Sequence, residues 1–342
     1  MLQLIGQILR WFRGGTLNLL ILAGIILLVW GFFAPVGTLV WWLDQGAEII
    51  GLRKNRLKEL PAGNGSNAGA KPTKVNCYII FLPGVGDFSA DELTPGEETF
   101  LNRLVQKHPN CVAVSDVFPY SVSNQSLGGQ RLFAPVWRFA NNAKGWRTIG
   151  DILVKIRNLW RFAISVDPRY GPVYNQGIAT AIIERMKAKQ SIPASPDKPL
   201  NIILMGTSGG VQVALGAAPY LNQWLNAQIS VVSIGGVFNG TNGFEAADRV
   251  YHLQGRQDWI DNIGSIVFPS RWYGNVGSPF NQARLAGHYK AHIIGPHAHD
   301  GEKGYFGEYP LQENSVTYVD VTIEEVNKLP IWNLKNPPVN SK

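Results

Sequence analysis

The 342-residue chain reads as an α/β protein: a mostly parallel, doubly wound sheet with a helical insertion, preceded by an N-terminal transmembrane helix. Three observations carry this. From Val75 onward, short apolar runs of strand character alternate with longer helix-compatible stretches, as they must when helices cross between parallel strands. Between Tyr120 and Tyr170 a basic, aromatic segment interrupts that alternation, and before it all residues 15–33 form an uncharged apolar run. The composition, 45% hydrophobic and 16% charged with 37 Gly and 11 Trp, excludes a disordered, collagen-like or coiled-coil chain.

The apolar run GTLNLLILAGIILLVWGFF is extended by APVGTLVWWL, so residues 15–43 are long enough to span a bilayer with some tilt. Arg10 and Arg13 precede it, as in a secretory signal peptide, but no small-x-small cleavage site follows before Pro35. Trp30, Trp41 and Trp42 suit the membrane–water interface. Arg53, Lys54, Arg56 and Lys58 beyond the run balance the two arginines before it, which leaves the side of the soluble part open. Residues 1–60 are thus an anchor with its juxtamembrane segment. PAGNGSNAGAKPTK, 61–74, has the composition of a flexible tether, and 75–342 form the folded domain, with the insertion at about 120–170.

Within that domain VNCYIIFL is a strand stopped by Pro83-Gly84, a helix runs from about Glu97 to Lys107, and CVAVSDVF is the next strand. After the insertion come a helix from about Tyr174 to Lys189, the buried strand LNIILM, a helix after Ser208, and the strands QISVVSIGG, RVYHLQG and His288–Ile294. No repeat of 20 to 50 residues is present. The net charge of +7 is concentrated in the insertion, where Arg131, Arg138, Lys144, Arg147, Lys155, Arg157, Arg161 and Arg169 face only Asp151 and Asp167. No nucleic-acid module is recognisable, so a nucleic-acid partner is not expected. Cys77 and Cys111 are too few for a disulfide framework and lack the clustered spacing of zinc ligands.

The most informative piece is LNIILMGTSGGVQVALGAAPYL, in which a buried strand meets Gly206-Thr207-Ser208-Gly209-Gly210 and then a helix. G-x-S-x-G in this setting is a nucleophile elbow: the strained turn exposes the serine hydroxyl, and the glycines let strand and helix pass closely. Backbone N–H groups at the helix N-terminus favour a developing negative charge there. The bare pattern arises by chance about 0.2 times in a chain of this composition, so the strand before and the helix after it carry the specificity. A serine that merely caps the helix is the plainer alternative.

With these residues the chain resembles the α/β-hydrolase family from about Val75 to past Tyr305, and the family's order of serine, acid and histidine can be followed. The resemblance implies Ser208 as nucleophile. After the strand RVYHLQG it implies Asp258 as the acid, with Asp261 in reserve; an N-cap role for Asp258 is the alternative. After the last strand, IGPHAH offers His297 and His299; its similarity to the IGPxxH arrangement of haloalkane-dehalogenase-type relatives favours His299 as base. His252 and His292, inside strands, are expected to be core residues. No metal and no cofactor are implied. The oxyanion hole would combine the Gly209 N–H with one from Val85 or Gly84, because Pro83 has no donor. Most members begin with two further strands, so the sheet is expected to be shortened at one edge. Cys77 and Cys111 would then begin adjacent parallel strands, where geometry is often wrong for a disulfide, and their state stays open.

In the insertion, Ile152, Leu153, Ile156, Leu159, Trp160, Ala163 and Ile164 fall on one helical face with Lys155, Arg157 and Arg161 opposite. This reads either as a cap helix with a solvated basic face or as a lid resting on anionic lipid. The expected activity is that of a membrane-anchored esterase or lipase acting on an acyl ester. A thioesterase or peptidase with the same triad, and a non-catalytic binding protein on the same scaffold, are the alternatives. Membrane lipid is the expected partner, and oligomeric state is open.

Overall fold

A computed structural model describes residues 76–86, 93–121, 147–190, 192, 199–225, 227–311 and 316–332. The expected span at 15–43 and the tether lie outside them. Among the described residues no helix is long and apolar enough to cross a membrane.

Six strands form one parallel sheet: β1 (Cys77–Leu82), β2 (Cys111–Val114), β3 (Leu200–Thr207), β4 (Ala227–Ile234), β5 (Arg249–Gly255) and β6 (Tyr289–Ile294). Their order is β2-β1-β3-β4-β5-β6, every neighbouring pair being parallel. The helices are α1 (Pro95–Lys107), α2 (Arg147–Val166), α3 (Gly171–Lys189), α4 (Gly210–Trp224), α5 (Ile260–Val267), α6 (Pro279–Leu285) and α7 (Tyr318–Lys328). The sheet is doubly wound. On one face Ile79, Phe81, Ile203, Met205, Val232 and Leu253 pack with Phe100 and Leu104 of α1 and Val319 and Ile323 of α7. Side chains alternate along a strand, so Tyr78 and Ile80 point to the other face, where α4 packs against β1, β3 and β4 with α3 and α2 beside it. Burial on both faces explains why β1 and β3 are almost wholly apolar. Helix α1 starts at a capping box: Thr94 Oγ1 accepts from the Glu97 N–H, and Glu97 Oε2 accepts from the Thr94 N–H at 2.9 Å.

Four points differ from the sequence reading or were left open by it. The strand CVAVSDVF stops at Val114, four residues short of Phe118. His292 is no core residue: β6 is an edge strand, and its side chains from Lys290 to Ile293 are exposed. Cys77 and Cys111 form a disulfide. They are register partners at the starts of β1 and β2, 4.3 Å apart between Cα atoms and on the same face, so the sheet itself brings the sulfurs together.

The fourth concerns α2. Its basic residues are not all solvated, nor does its apolar stripe alone define the buried face. Val154, Arg157, Asn158, Ile164 and Ser165 are buried, whereas Leu159 and Ala163 are exposed. The helix is rotated because its inner face is polar. Arg157 donates to Asn158 Oδ1 at 3.0 Å and lies over the Phe118 ring, and Ser165 donates to Asn175 of α3 at 2.7 Å. Burial, with help from neighbouring Arg161, pulls the Arg157 guanidinium down to about 9.

Candidate active site

The turn from β3 to α4 follows from its glycines. A side chain at Gly206 would place its Cβ 2.7 Å from the Val211 backbone N, and one at Gly210 would collide with the carbonyls of Leu82 and Pro83. Strand, turn and helix can pass this closely only without those Cβ atoms. Between them Ser208 has φ of 50°, and among the described residues it is the non-glycine residue with positive φ. That strained conformation is held by the Ser208 N–H donating to the Ile234 carbonyl and by the Ser208 carbonyl accepting from Val237 N at 3.0 Å.

Ser208 Oγ lies 3.0 Å from His299 Nε2. On the other side of the ring, His299 Nδ1 is 2.9 Å from Asp258 Oδ2 and 3.0 Å from Oδ1. Asp258 follows β5 and His299 follows β6, neighbouring strands whose C-terminal ends open on the same side as the β3 elbow. Asp258 also accepts from the Tyr305 hydroxyl at 2.7 Å and from the N–H groups of Ile260 at 3.0 Å and Asp261 at 3.2 Å. Burial pushes its carboxyl up, but the hydrogen bond and charge of His299, with the bonds from Tyr305 and Asp261, outweigh this and hold it below the ordinary carboxylate value. A carboxylate with these donors stays ionised, so Nδ1 carries the imidazole proton and Nε2 is left to accept from the Ser208 hydroxyl. The N-cap alternative for Asp258 holds only in part: the N-cap position falls on Trp259, but Asp258 Oδ1, which faces His299, also accepts from the first two N–H groups of α5.

His297 and His299 part company. His297 is fully buried, its Nε2 2.9 Å from the Tyr318 carbonyl and 3.2 Å from Thr322 Oγ1, and its ring stacked on Tyr305. Asp261, the reserve acid, is paired with a different histidine: its Oδ1 is 2.9 Å from Nε2 of buried His252, without the alignment of a hydrogen bond, while His252 Nδ1 meets Ser233 Oγ at 2.7 Å.

Gly84, Val85 and Gly209 line a cavity of about 1080 Å³ together with Ser208 and His299. Among the described residues, no acceptor is bonded to the N–H of Val85 or of Gly209. The Val85 turn is braced from two sides: Asn158 Nδ2 donates to the Val85 carbonyl at 2.9 Å, and Tyr120 donates to the Pro83 carbonyl at 3.2 Å. Leu159, Phe162, Val237, Ile260 and Ile263 give the cavity an apolar wall, whereas Thr94, Glu302 and Glu308 give it a polar one.

Sequence reasoning missed Tyr305 and Asn158. Tyr305 bridges Asp258 and the Gly255 N–H, which donates to its hydroxyl at 2.6 Å. No spacing marks either residue, since each acts through a tertiary contact; only the polar positions of the insertion helix could have drawn attention to Asn158.

A parallel α/β sheet that presents a serine on a strained strand-to-helix turn, bonded through histidine to a buried carboxylate, has the geometry of a serine-nucleophile site. By sequence, no protein family and no curated protein matches the chain. Among solved structures it is similar to a dienelactone hydrolase-like promiscuous phosphotriesterase from metagenomic libraries, with 11% identity over 67% of this chain and 73% of that one at a TM-score of 0.37. A structure called m3DLH is similar with 14% identity over 67% and 74% at a TM-score of 0.37. Likeness of this degree leaves the reading to the chain's own geometry.

Proposed function

We propose that the protein is a membrane-anchored serine hydrolase that cleaves an acyl ester. The observation that carries this is the continuous hydrogen-bonded series from Ser208 through His299 to Asp258 at the edge of the cavity. In the reaction, His299 Nε2 takes the hydroxyl proton as Ser208 Oγ attacks the ester carbonyl carbon. The N–H groups of Gly209 and Val85 hold the oxyanion, and the Asp258 carboxylate stabilises the imidazolium through Nδ1. Collapse of the tetrahedral intermediate expels the alcohol, which takes its proton from His299. Water, deprotonated by the same imidazole, then releases the acid from the acyl-serine. The apolar wall of the cavity suits the acyl chain, since burial of each methylene contributes about 0.8 kcal/mol. The apolar run at 15–43 supports the anchor.

Hydrolysis of a series of p-nitrophenyl esters of increasing chain length tests the reading. Activity rising with chain length and falling at least about 1000-fold in Ser208→Ala is expected. Turnover that survives unchanged in Ser208→Ala would refute the mechanism, and a folded wild type inert toward every ester would favour a binding role for the scaffold.

A further inference from the structure

Helix α5 is inside out. Its apolar residues Ile260, Ile263, Ile266 and Val267 recur at helical spacing, a stripe that a water-soluble helix normally turns toward the core. Instead the buried residues are Asp261 and Gly264. Asp261 faces His252, and the absence of a side chain at Gly264 leaves room for the Arg271 guanidinium, which lies 2.7 Å from where a Cβ would stand. Ile266 is 69% exposed in consequence, and Trp259 and Val267 are exposed beside it. The following turn continues the surface with exposed Trp272, Tyr273 and Val276. Trp272 Nε1 donates to the Ile266 carbonyl at 3.2 Å, which joins turn to helix. Between Trp259 and Val276 the charged residues are Asp261 and Arg271, and both are buried. The exposed surface of this segment is therefore uncharged and rich in apolar and aromatic side chains, with Asn262, Ser265 and Asn275 as its exposed polar residues.

We infer that this face docks on the interfacial region of a lipid bilayer; the inference rests on the proposed reading of the chain as a membrane-anchored hydrolase. Three features select lipid as the occupant. Indole and phenol side chains partition to the headgroup level of membranes. The sequence supplies a candidate span at 15–43, on the same chain as this face. The surface also continues into the cavity, because Ile260 and Ile263 line it and Phe268, at the end of α5, meets Phe162 of the cavity wall at 6.1 Å between ring centroids. A protein partner seated here would cover the cavity rim, whereas a bilayer would supply the acyl substrate to it. The segment itself presents no charge, and the cation beside it is the half-buried Arg284 guanidinium, 4.8 Å from the Tyr273 ring centroid, so attachment depends on apolar burial more than on anionic lipid, unlike the basic lid that was one of the two readings of α2.

The two cysteines of the chain are bonded to each other, so a single introduced cysteine can be labelled selectively. Full-length protein carrying an environment-sensitive NBD fluorophore at Ile266→Cys, at Tyr273→Cys or, as control, at exposed Glu324→Cys of α7 is reconstituted with phosphatidylcholine vesicles. Some of these vesicles contain a lipid with a nitroxide on its acyl chain. Fluorescence at 266 and 273 should be quenched at least twofold more than at 324, equally in low and high salt. Quenching no greater than at 324, failure of the protein to float with the vesicles, or shielding of 266 that follows protein concentration without lipid, as in a second copy, would each overturn the inference. Fluorophosphonate labelling of Ser208 in the same samples separates the two readings, because labelling without quenching removes the docking face alone and quenching without labelling removes the hydrolase alone.

Discussion

Around Asp258 the proposed mechanism divides the residues between those that react and those that position them. Tyr305→Phe removes one donor from the carboxylate and strands the buried Gly255 N–H. The loss should be about 1–3 kcal/mol of stability by urea denaturation, with kcat lowered about tenfold and KM nearly unchanged. Equal stability of the two proteins would show that the bridge contributes nothing. Asn158→Ala frees the Val85 carbonyl and should slow acylation about tenfold or more through the oxyanion loop, measured as the rate of phosphonate incorporation. His297 gives a pH test. Burial holds its imidazole below the ordinary value, so the folded chain keeps it neutral where the unfolded chain, near pH 6.5, takes up a proton. Stability from this group is complete above about 6.5 and falls as the pH drops through it. His297→Gln should therefore lose stability less steeply than wild type between about pH 7 and about pH 5, and parallel slopes would contradict the assignment. At this scale Ser208 is legible from glycine spacing and Asp258 from chain order. The choice of His299 over His297 needed a family resemblance, because two histidines two positions apart share the same local sequence and only burial and tertiary partners distinguish them.

Among the elements, the strands and the crossover helices were legible because parallel strands buried on both faces must be continuous apolar runs. What the sequence concealed is how elements face their neighbours. Helix α2 obeys its contacts with α3 and α4 and not its own apolar stripe, and a polar interior built from Arg157, Asn158 and Ser165 is invisible to a hydrophobic periodicity. The disulfide was concealed for a related reason: strand register, which sets Cys77 opposite Cys111, depends on the whole sheet. Because the bond closes a loop of sequence separation 34, its loss in Cys77→Ser should cost about 3–4 kcal/mol by denaturation. Intact mass should rise by two hydrogens on reduction of the unfolded wild type, and an unchanged mass would exclude the bond.

For the whole molecule, the three site residues lie 91 positions apart in sequence between Ser208 and His299, and 41 between Asp258 and His299. A sheet whose β3, β5 and β6 ends share one edge is what converts that order into a hydrogen-bonded series. The expected anchor adds one question of orientation, answered by protease accessibility of the domain in sealed vesicles. The central claim is an activated serine, and it is tested most directly with a fluorophosphonate probe on the solubilised full-length protein. Labelling of the wild type that disappears in Ser208→Ala and His299→Ala but persists in folded His297→Ala is the result expected. A folded wild type that takes up no probe, or probe retained in Ser208→Ala at full level, would contradict the account.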